Sequence, residues 1–172
     1  MNTTALLRGA LLCAFILPAG PLLAADQDSA KDQHFVTEAS AAGMAEIDAA
    51  KLALKKSQSP DVKTFAQHII DDHSKANATL KTLAEKHRLQ LAESASLTNQ
   101  AKAKVLDVRE ESFDAAYANN QVGAHEEAVK LFTDAANNAS DTDIRKFAQD
   151  TLPVLQQHLE MAQDLVKAHP SE

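Results

Sequence analysis

The segment FAQHIIDDHSKAN, residues 65–77, places His73 where an amphipathic helix would carry an apolar core residue. Apolar residues flank this histidine on both sides at spacings of three and four, namely Val62, Ala66, Ile69, Ala76, Leu80 and Leu83. Such spacing is typical of one face of an α-helix. His73 is therefore predicted to lie on the buried face of a helix, although its side chain is ionisable.

The chain beyond residue 25 has the composition of a helical protein. It contains only two glycines, Gly43 and Gly123, and no stretch alternates apolar and polar residues as a strand does. We predict four long amphipathic helices, at about residues 30–56, 60–87, 112–137 and 140–168.

Residues at the helix starts support these boundaries. Ser59 is a ready N-cap for the second helix, and Pro60 suits its first position, where the missing N–H costs nothing. Ser112 is the predicted N-cap of the third helix. Ser140 and Asp143 resemble a capping box that opens the fourth.

Four helices of similar length, joined mostly by short connections, are expected to form an all-α antiparallel bundle with up-down-up-down topology. Helical spacing already begins near residue 98, so an extra helical segment is expected before the third helix. A three-helix core with a loosely docked first helix is the alternative. Residues 26–172 are short enough to share one core, and we expect a single domain.

The first 25 residues differ in kind from the rest. One positive charge, Arg8, precedes an apolar run, and no acidic residue occurs before Asp26. This pattern is typical of a secretory signal peptide, so cleavage after Ala24 or Ala25 and a periplasmic location are expected. An uncleaved anchor is the alternative, although two prolines and a glycine interrupt the run and disfavour a stable membrane span.

Charge and cysteine content narrow the classes of function. Loss of the signal segment removes only Arg8 from the 17 basic residues and none of the 24 acidic ones, which changes the formal net charge from −7 to −8. The basic residues are not clustered, so no nucleic-acid partner is expected. The only cysteine, Cys13, lies inside the signal segment, so the mature chain has no disulfide, thiolate nucleophile or cysteine–metal site.

Each predicted helix carries one ionisable residue on its apolar face, in chain order Glu46, His73, His125 and His158. In an antiparallel hairpin, residues equidistant from the turn are level with each other. Glu46 is then level with about Asp71, half a turn from His73, and His125 lies about one turn from His158. The four residues form one layer only if the two hairpins are also in register.

A buried ionisable group costs free energy unless it is paired or ligated. Three imidazoles and a carboxylate suit a divalent transition metal such as zinc, iron or copper, so the four residues are candidate metal ligands. A buried His–Glu hydrogen-bond cluster that fixes the packing is the alternative. Asp72, four residues after His68, is interpreted as a surface ion-pair residue.

Four segments, FVTEASAAGMAEIDAAKLAL, FAQHIIDDHSKANATLKTLA, SFDAAYANNQVGAHEEAVKLF and FAQDTLPVLQQHLEMA, resemble an exported bacterial family catalogued as domain of unknown function 4142. The resemblance covers about residues 32–165. It implies a ferritin-like four-helix bundle in which Glu46, His73, His125 and His158 occupy the family's characteristic polar positions. Ferritin-like di-iron sites use Glu-x-x-His motifs, and this sequence has none, so di-iron chemistry is not expected.

Three classes of function fit these features. The one we expect is a non-enzymatic periplasmic bundle for envelope stress tolerance or metal handling, whose polar layer is structural or holds one metal ion. The second is a metal-dependent oxidase or hydrolase at the same layer, although no Ser/His/Asp arrangement or Gly-rich phosphate loop suggests other chemistry. The third is an envelope module that binds a protein partner or a second copy of this chain.

Overall fold

The computed structural model describes residues 22–96, 99–100 and 113–171, with side chains from residue 29 onward. Residues 1–21 of the predicted signal segment and the predicted N-cap Ser112 lie outside these ranges. Of the extra helical segment expected before the third helix, only residues 99–100 are described, and they are helical. Within the described ranges, no helix is long and apolar enough to cross a membrane.

The described residues form helices and no strands, which confirms the all-α prediction. The helices are α1 (Leu22–Lys56), α2 (Pro60–His87), α3 (Phe113–Asn138) and α4 (Thr142–Ala168). The predicted ends of α1, α2 and α4 agree with these bounds. α1 begins earlier than the predicted residue 30, because no proline interrupts the helix after Pro21.

The start of α2 is capped differently from the prediction. Pro60 occupies the first turn as expected, and Ser59 has the extended backbone of an N-cap (φ −77°, ψ 125°). The Ser59 hydroxyl, however, donates to Asp114 Oδ2 of α3 at 2.8 Å and makes no side-chain cap. The Asp61 carboxylate accepts from the Val62 N–H at 2.8 Å. A contact between two helices thus takes the place of the local cap.

The predicted capping box of Ser140 and Asp143 at the start of α4 is wrong. The N-cap is Asp141, whose carboxylate accepts from the backbone N–H groups of Asp143 (2.8 Å) and Ile144 (3.2 Å). A negative carboxylate also suits the positive end of the helix dipole. Ser140 uses its own N–H to bind Asp32 of α1 at 2.9 Å. Its role is therefore to join the α3–α4 turn to α1.

Contacts at the two ends of the bundle define the direction of each helix. The end with the α1–α2 turn, called the upper end, also holds the start of α3, because Ser59 binds Asp114. It holds the end of α4 as well, since His169 bonds to Asp61 at 2.9 Å. The lower end holds the start of α1 and the α3–α4 turn, because Asp32 accepts from two backbone N–H groups of that turn.

Neighbouring helices are antiparallel, which confirms the predicted antiparallel bundle. α1 packs beside α2 and α3, and α4 packs beside the same two helices. In chain order, however, the helices run up, down, down, up rather than up-down-up-down, because α2 and α3 both begin at the upper end. The residues between α2 and α3 therefore join the lower end of the bundle to its upper end. One long crossover of this kind is the ferritin-like arrangement.

The first part of this crossover is bound to α1. The backbone carbonyl of Gln90 accepts from the side chains of Gln33 (2.7 Å) and Thr37 (3.2 Å). The Ala92 N–H donates to the Ser40 hydroxyl at 2.8 Å. The segment therefore ascends along α1 from its lower end, and the side chains of α1 satisfy backbone groups that have no helix or sheet partner.

The core consists of two apolar clusters. The lower cluster is built around Phe35, Val36, Leu80, Phe132, Ile144, Phe147 and Leu155, and the upper cluster around Ala50, Ala53, Val62, Phe65, Ile69, Phe113, Tyr117, Ala162 and Leu165. α1 contributes Phe35 and Val36, which are 4% and 0% exposed, so the alternative of a loosely docked first helix is wrong. Between the clusters each helix carries its predicted ionisable residue.

Asp32→Ala is expected to lower the free energy of unfolding by about 3 kcal/mol or more. The buried Asp32 carboxylate accepts two backbone N–H bonds from the α3–α4 turn, and hydrogen bonds to charged groups contribute about 1.5–3 kcal/mol each. Urea unfolding followed by circular dichroism measures the change. Asp48→Ala, at an exposed site of α1, should change stability by less than about 0.5 kcal/mol. Equal losses in the two variants would contradict the assigned role.

Candidate metal centre

Three histidines from three helices meet between the two apolar clusters. The ring centroids of His73 (α2), His125 (α3) and His158 (α4) lie 5.7, 5.6 and 5.4 Å apart, pair by pair. Each residue offers one ring nitrogen, and these three nitrogens lie within 4.8 Å of one another. The two hairpins are therefore in register at this layer, which the sequence could not establish.

All three rings are removed from solvent. His73 is 8% exposed, His125 1% and His158 2%. Spacing along α3 placed His125 on the apolar face, and it is the most deeply buried of the three. The reason is that the ring packs against aromatic groups from two other helices, with Phe65 at 6.4 Å between centroids. Phe65 lies at 6.5 Å from His158 as well.

Hydrogen bonds orient two of the rings. His125 Nδ1 donates to the backbone carbonyl of Gln121, one turn earlier in α3, at 2.9 Å. His158 Nε2 donates to Asp72 Oδ2 at 3.0 Å. A proton held on one ring nitrogen leaves a lone pair on the other. Nε2 of His125 and Nδ1 of His158 are therefore the nitrogens whose lone pairs are available to coordinate a metal.

One nitrogen of each ring is buried without a hydrogen-bond partner. These atoms are Nε2 of His73, Nε2 of His125 and Nδ1 of His158. An unsatisfied buried polar atom costs about 1–3 kcal/mol, and native proteins contain few of them. Three such atoms in one small region are poorly explained by a hydrogen-bond cluster that serves packing alone. They are therefore candidate metal ligands.

The electrostatic environment keeps the three rings neutral. Burial lowers the pKa of His73 to about 3, with the neighbouring His125 and His158 adding to the effect. Burial likewise lowers the pKa of His125 to about 4, against the opposing hydrogen bond to Gln121. It also lowers the pKa of His158, although Asp72 acts in the opposite direction. Neutral imidazole is the form that coordinates a metal.

The fourth predicted residue, Glu46, is buried on α1 at 8% exposure. It does not belong to the group of ring nitrogens that lie within 4.8 Å of one another. Its charge acts on Tyr117 of α3, whose pKa is raised well above the usual value by burial and, secondarily, by Glu46. Glu46 thus adds negative potential to the upper side of the layer from α1.

Sequence reasoning missed three residues near the layer. Asp72 was interpreted as a surface ion-pair residue, but its partner is the buried His158. Gln121 and Tyr117 are fully buried and have side-chain polar atoms without a hydrogen-bond partner. Their positions four and eight residues before His125 would have placed them on the same helical row. No local pattern could have paired Asp72 with a residue 86 positions away.

A second group of potential ligands lies at the lower end of the bundle. It consists of His87, Asp141 and Asp143. His87 bonds Asp141 through Nδ1 (2.8 Å) and Asp143 through Nε2 (2.9 Å), while Asp141 caps α4 and Asp143 binds Lys86. Because the carboxylates and the ring already have these partners, the group is better described as a cluster of ion pairs that joins α2 to α4.

The buried layer has the donors for one ion rather than two. Three imidazoles supply three protein ligands, which leaves a fourth coordination position open in a tetrahedral site. The layer has neither the carboxylate on each helix nor the Glu-x-x-His pairs that hold two irons. The arrangement therefore suits a single transition-metal ion bound by nitrogen.

The fold and the layer define a class of protein, an all-α four-helix bundle with a buried cluster of three histidines whose ring nitrogens are close enough together to hold a metal ion. The chain belongs to the family described as "Domain of unknown function (DUF4142)", whose model matches residues 18–165. The resemblance noted in the sequence is thereby confirmed. No curated protein matches the chain.

Two solved structures share the fold. One is described as CopM in the Cu(I)-bound form, with 19% sequence identity and a TM-score of 0.69 over 81% of this chain and 98% of that one. The other is a DUF305 fragment from Deinococcus radiodurans, with 13% identity and a TM-score of 0.71 over 80% of this chain and 96% of that one. At these identities the likeness concerns the fold of the bundle.

The metal-free protein is expected to become less stable as the pH falls below about 6.5. The pKa of each clustered histidine is lower in the fold than the ordinary value of 6.5, so the unfolded chain takes up protons first. Stability is fully retained above that pH and falls by up to about 1.4 kcal/mol per pH unit for each histidine. The loss continues toward the folded pKa, which is about 4 for His125.

Urea unfolding at several pH values between about 7 and 5 measures this dependence, with chelator present to exclude metal. His125→Gln should flatten the dependence, whereas His34→Gln, at an exposed position of α1, should leave it unchanged. A wild-type stability that does not vary over this range would show that the three rings are not held neutral.

Proposed function

We propose that this protein is an exported, non-enzymatic bundle that binds one transition-metal ion through His73, His125 and His158 and serves in metal handling outside the cytoplasm. Two observations carry the proposal: the three buried histidines each bring one ring nitrogen within 4.8 Å of the other two, and each ring also has a buried nitrogen without a hydrogen-bond partner. A bound metal would convert three unfavourable atoms into three ligands. The free energy of binding would then contribute directly to the stability of the fold.

The surroundings of the rings support this assignment. Metal-binding histidines usually donate a hydrogen bond from the N–H of their second ring nitrogen to a carboxylate or a backbone carbonyl, which fixes the ring and increases its basicity. His158 donates to Asp72, and His125 donates to the carbonyl of Gln121. Both kinds of outer partner are therefore present before any ion is bound.

Copper is the metal that we propose. Imidazole nitrogen suits zinc, copper, iron and nickel, and among divalent ions copper generally binds such donors most tightly. Neutral ligands do not offset the charge of a buried ion, which is costly in a low dielectric. The Asp72 carboxylate can balance a singly charged ion such as Cu(I), whereas a doubly charged ion needs Glu46 in addition. The fold is shared with a protein described in its Cu(I)-bound form.

Export is part of the proposal and is supported by the apolar segment before Asp26. A metal centre without cysteine suits an oxidising compartment, where a thiolate site would be at risk of oxidation. The intact mass of the protein recovered from the periplasm tests this point. A mature chain that begins at Ala25 or Asp26 is expected, and a chain that retains residues 1–24 would contradict export with cleavage.

Tag-free protein is expected to bind one equivalent of copper, added as Cu(I) under reducing conditions. Metal content by mass spectrometry and competition with a coloured Cu(I) chelator measure the stoichiometry and the affinity. His73→Ala, His125→Ala and His158→Ala should each lower the affinity by more than the roughly 10- to 100-fold typical of changes to outer residues. The control His34→Ala, at an exposed position, should bind like the wild type. Equal affinity in all four variants would overturn the proposal.

Glu46→Gln distinguishes the charge of the preferred ion. If the site is built for Cu(I), the variant should keep one equivalent of copper with nearly unchanged affinity, because Asp72 alone balances the charge. Affinity for Zn(II) or Cu(II) should fall in the same variant, since those ions need the second carboxylate. Loss of Cu(I) binding on this substitution would instead place Glu46 among the ligands.

A further inference from the structure

A small cavity adjoins the histidine layer on its lower side. Its volume is about 30 Å³. His73 and His158 form its upper border, and most of its wall is apolar, including Ala39, Ala42, Leu80, Phe132, Phe147 and Leu155. All of these wall residues belong to the lower half of the bundle, except that Ala42 lies next to the layer itself.

The two sides of the layer are unequal. On the upper side, the Phe65 ring covers the cluster, with centroids 6.4 Å from His125 and 6.5 Å from His158. On the lower side, the rings of His73 and His158 border the cavity. A site with three protein ligands has one more coordination position. The lower side is where a further ligand has room.

The size and the wall of the cavity limit what it can hold. A water molecule needs roughly 10–15 Å³ on this measure, so the cavity has space for about two such spheres or for one diatomic molecule. Apolar cavities take up apolar guests such as xenon. Most of this wall is apolar, and the few side chains in it that could bond water are those of Asp72, Asn77, Thr151 and the two bordering histidines. Anions and larger organic ligands are disfavoured by the apolar wall and the size, respectively.

A surface groove between α2 and α4 adjoins the cavity. The groove has a volume of about 460 Å³, and it shares Asp72, Ala76, Phe147, Thr151 and Val154 with the lining of the cavity. The Asp72 side chain is 46% exposed, whereas that of its partner His158 is 3% exposed. The groove and the cavity therefore meet where solvent comes nearest to the histidines.

We propose that this cavity binds one small neutral apolar molecule, of the size class of dioxygen, carbon monoxide and nitric oxide, next to the fourth coordination position. The second half of this statement rests on the proposed metal site. The first half concerns the cavity alone and applies to the metal-free protein. The metal centre would then be accessible to a small gas molecule through this cavity, whereas anions and larger molecules would be largely excluded from it.

Xenon tests the cavity without any metal. Metal-free protein titrated with xenon should shift the ¹²⁹Xe resonance in a saturable manner. Ala76→Leu extends a larger side chain into the cavity and should weaken xenon binding at least tenfold. Ala78→Leu makes the same substitution on the exposed face of α2 and should leave binding unchanged. Ala42→Leu is a second filling variant, to be used if Ala76→Leu fails to fold by circular dichroism.

Carbon monoxide tests the position of the cavity relative to the metal. Protein loaded with Cu(I) should show one infrared band for bound carbon monoxide, reversible on purging. The filling variant should keep its copper, but its apparent affinity for carbon monoxide should fall at least tenfold. Ala78→Leu should keep both the copper and the wild-type affinity for carbon monoxide.

The outcomes separate the two proposals. Copper bound without any carbon monoxide band, or xenon and carbon monoxide bound equally well by the filled variant, would overturn the cavity proposal and leave the metal site intact. A wild type that binds no copper would overturn the metal site and the placement of the guest beside it. The xenon titration would then decide by itself whether the cavity takes an apolar guest.

Discussion

Three imidazole nitrogens buried without hydrogen-bond partners, from three different helices, impose a cost of about 1–3 kcal/mol each on the metal-free bundle. The cost is tolerated because an apolar cluster above and another below hold the helices at this height. The packing of the two halves thus forces ionisable groups to remain neutral, oriented and close to one another, which is the condition for binding a metal.

The direction of the helices is the second constraint. Because α2 and α3 both descend from the upper end, His73 and His125 reach the middle of the bundle at similar depth from the same end. His158 lies at the same height on α4, which ascends from its N-cap Asp141 at the lower end. Asp32 holds that end of α4 to α1 through the turn. Contacts at both ends of the bundle therefore set the height of the rings, far from the rings themselves.

The layer is asymmetric in two ways that bear on its chemistry. Negative charge comes from Asp72 on the α2–α4 side and from Glu46 on α1. The carboxylates would therefore neutralise a singly charged ion and a doubly charged ion to different extents. Phe65 covers the upper side, while a small apolar cavity lies below. A purely structural polar layer does not need an open side. An open side is required where a metal centre keeps a position for an exogenous ligand.

The sequence by itself determined the four helices, the antiparallel packing and the four ionisable residues on buried faces. These follow from spacing within single segments, such as the row from Val62 through His73 to Leu80, because burial of an apolar face acts locally along a helix. The N-caps of the helices and the direction of each helix in the bundle depended on partners distant in the chain. Asp141 rather than Ser140 caps α4, since the Ser140 N–H is taken by a residue 108 positions away.

Only the tertiary structure decided which polar residues meet. Spacing could not show that the two hairpins are in register, that His158 binds Asp72, or that Glu46 lies apart from the cluster of ring nitrogens. Such contacts depend on the rotation and height of each helix relative to the others. Those two quantities result from the packing of all side chains together, and no single segment contains them.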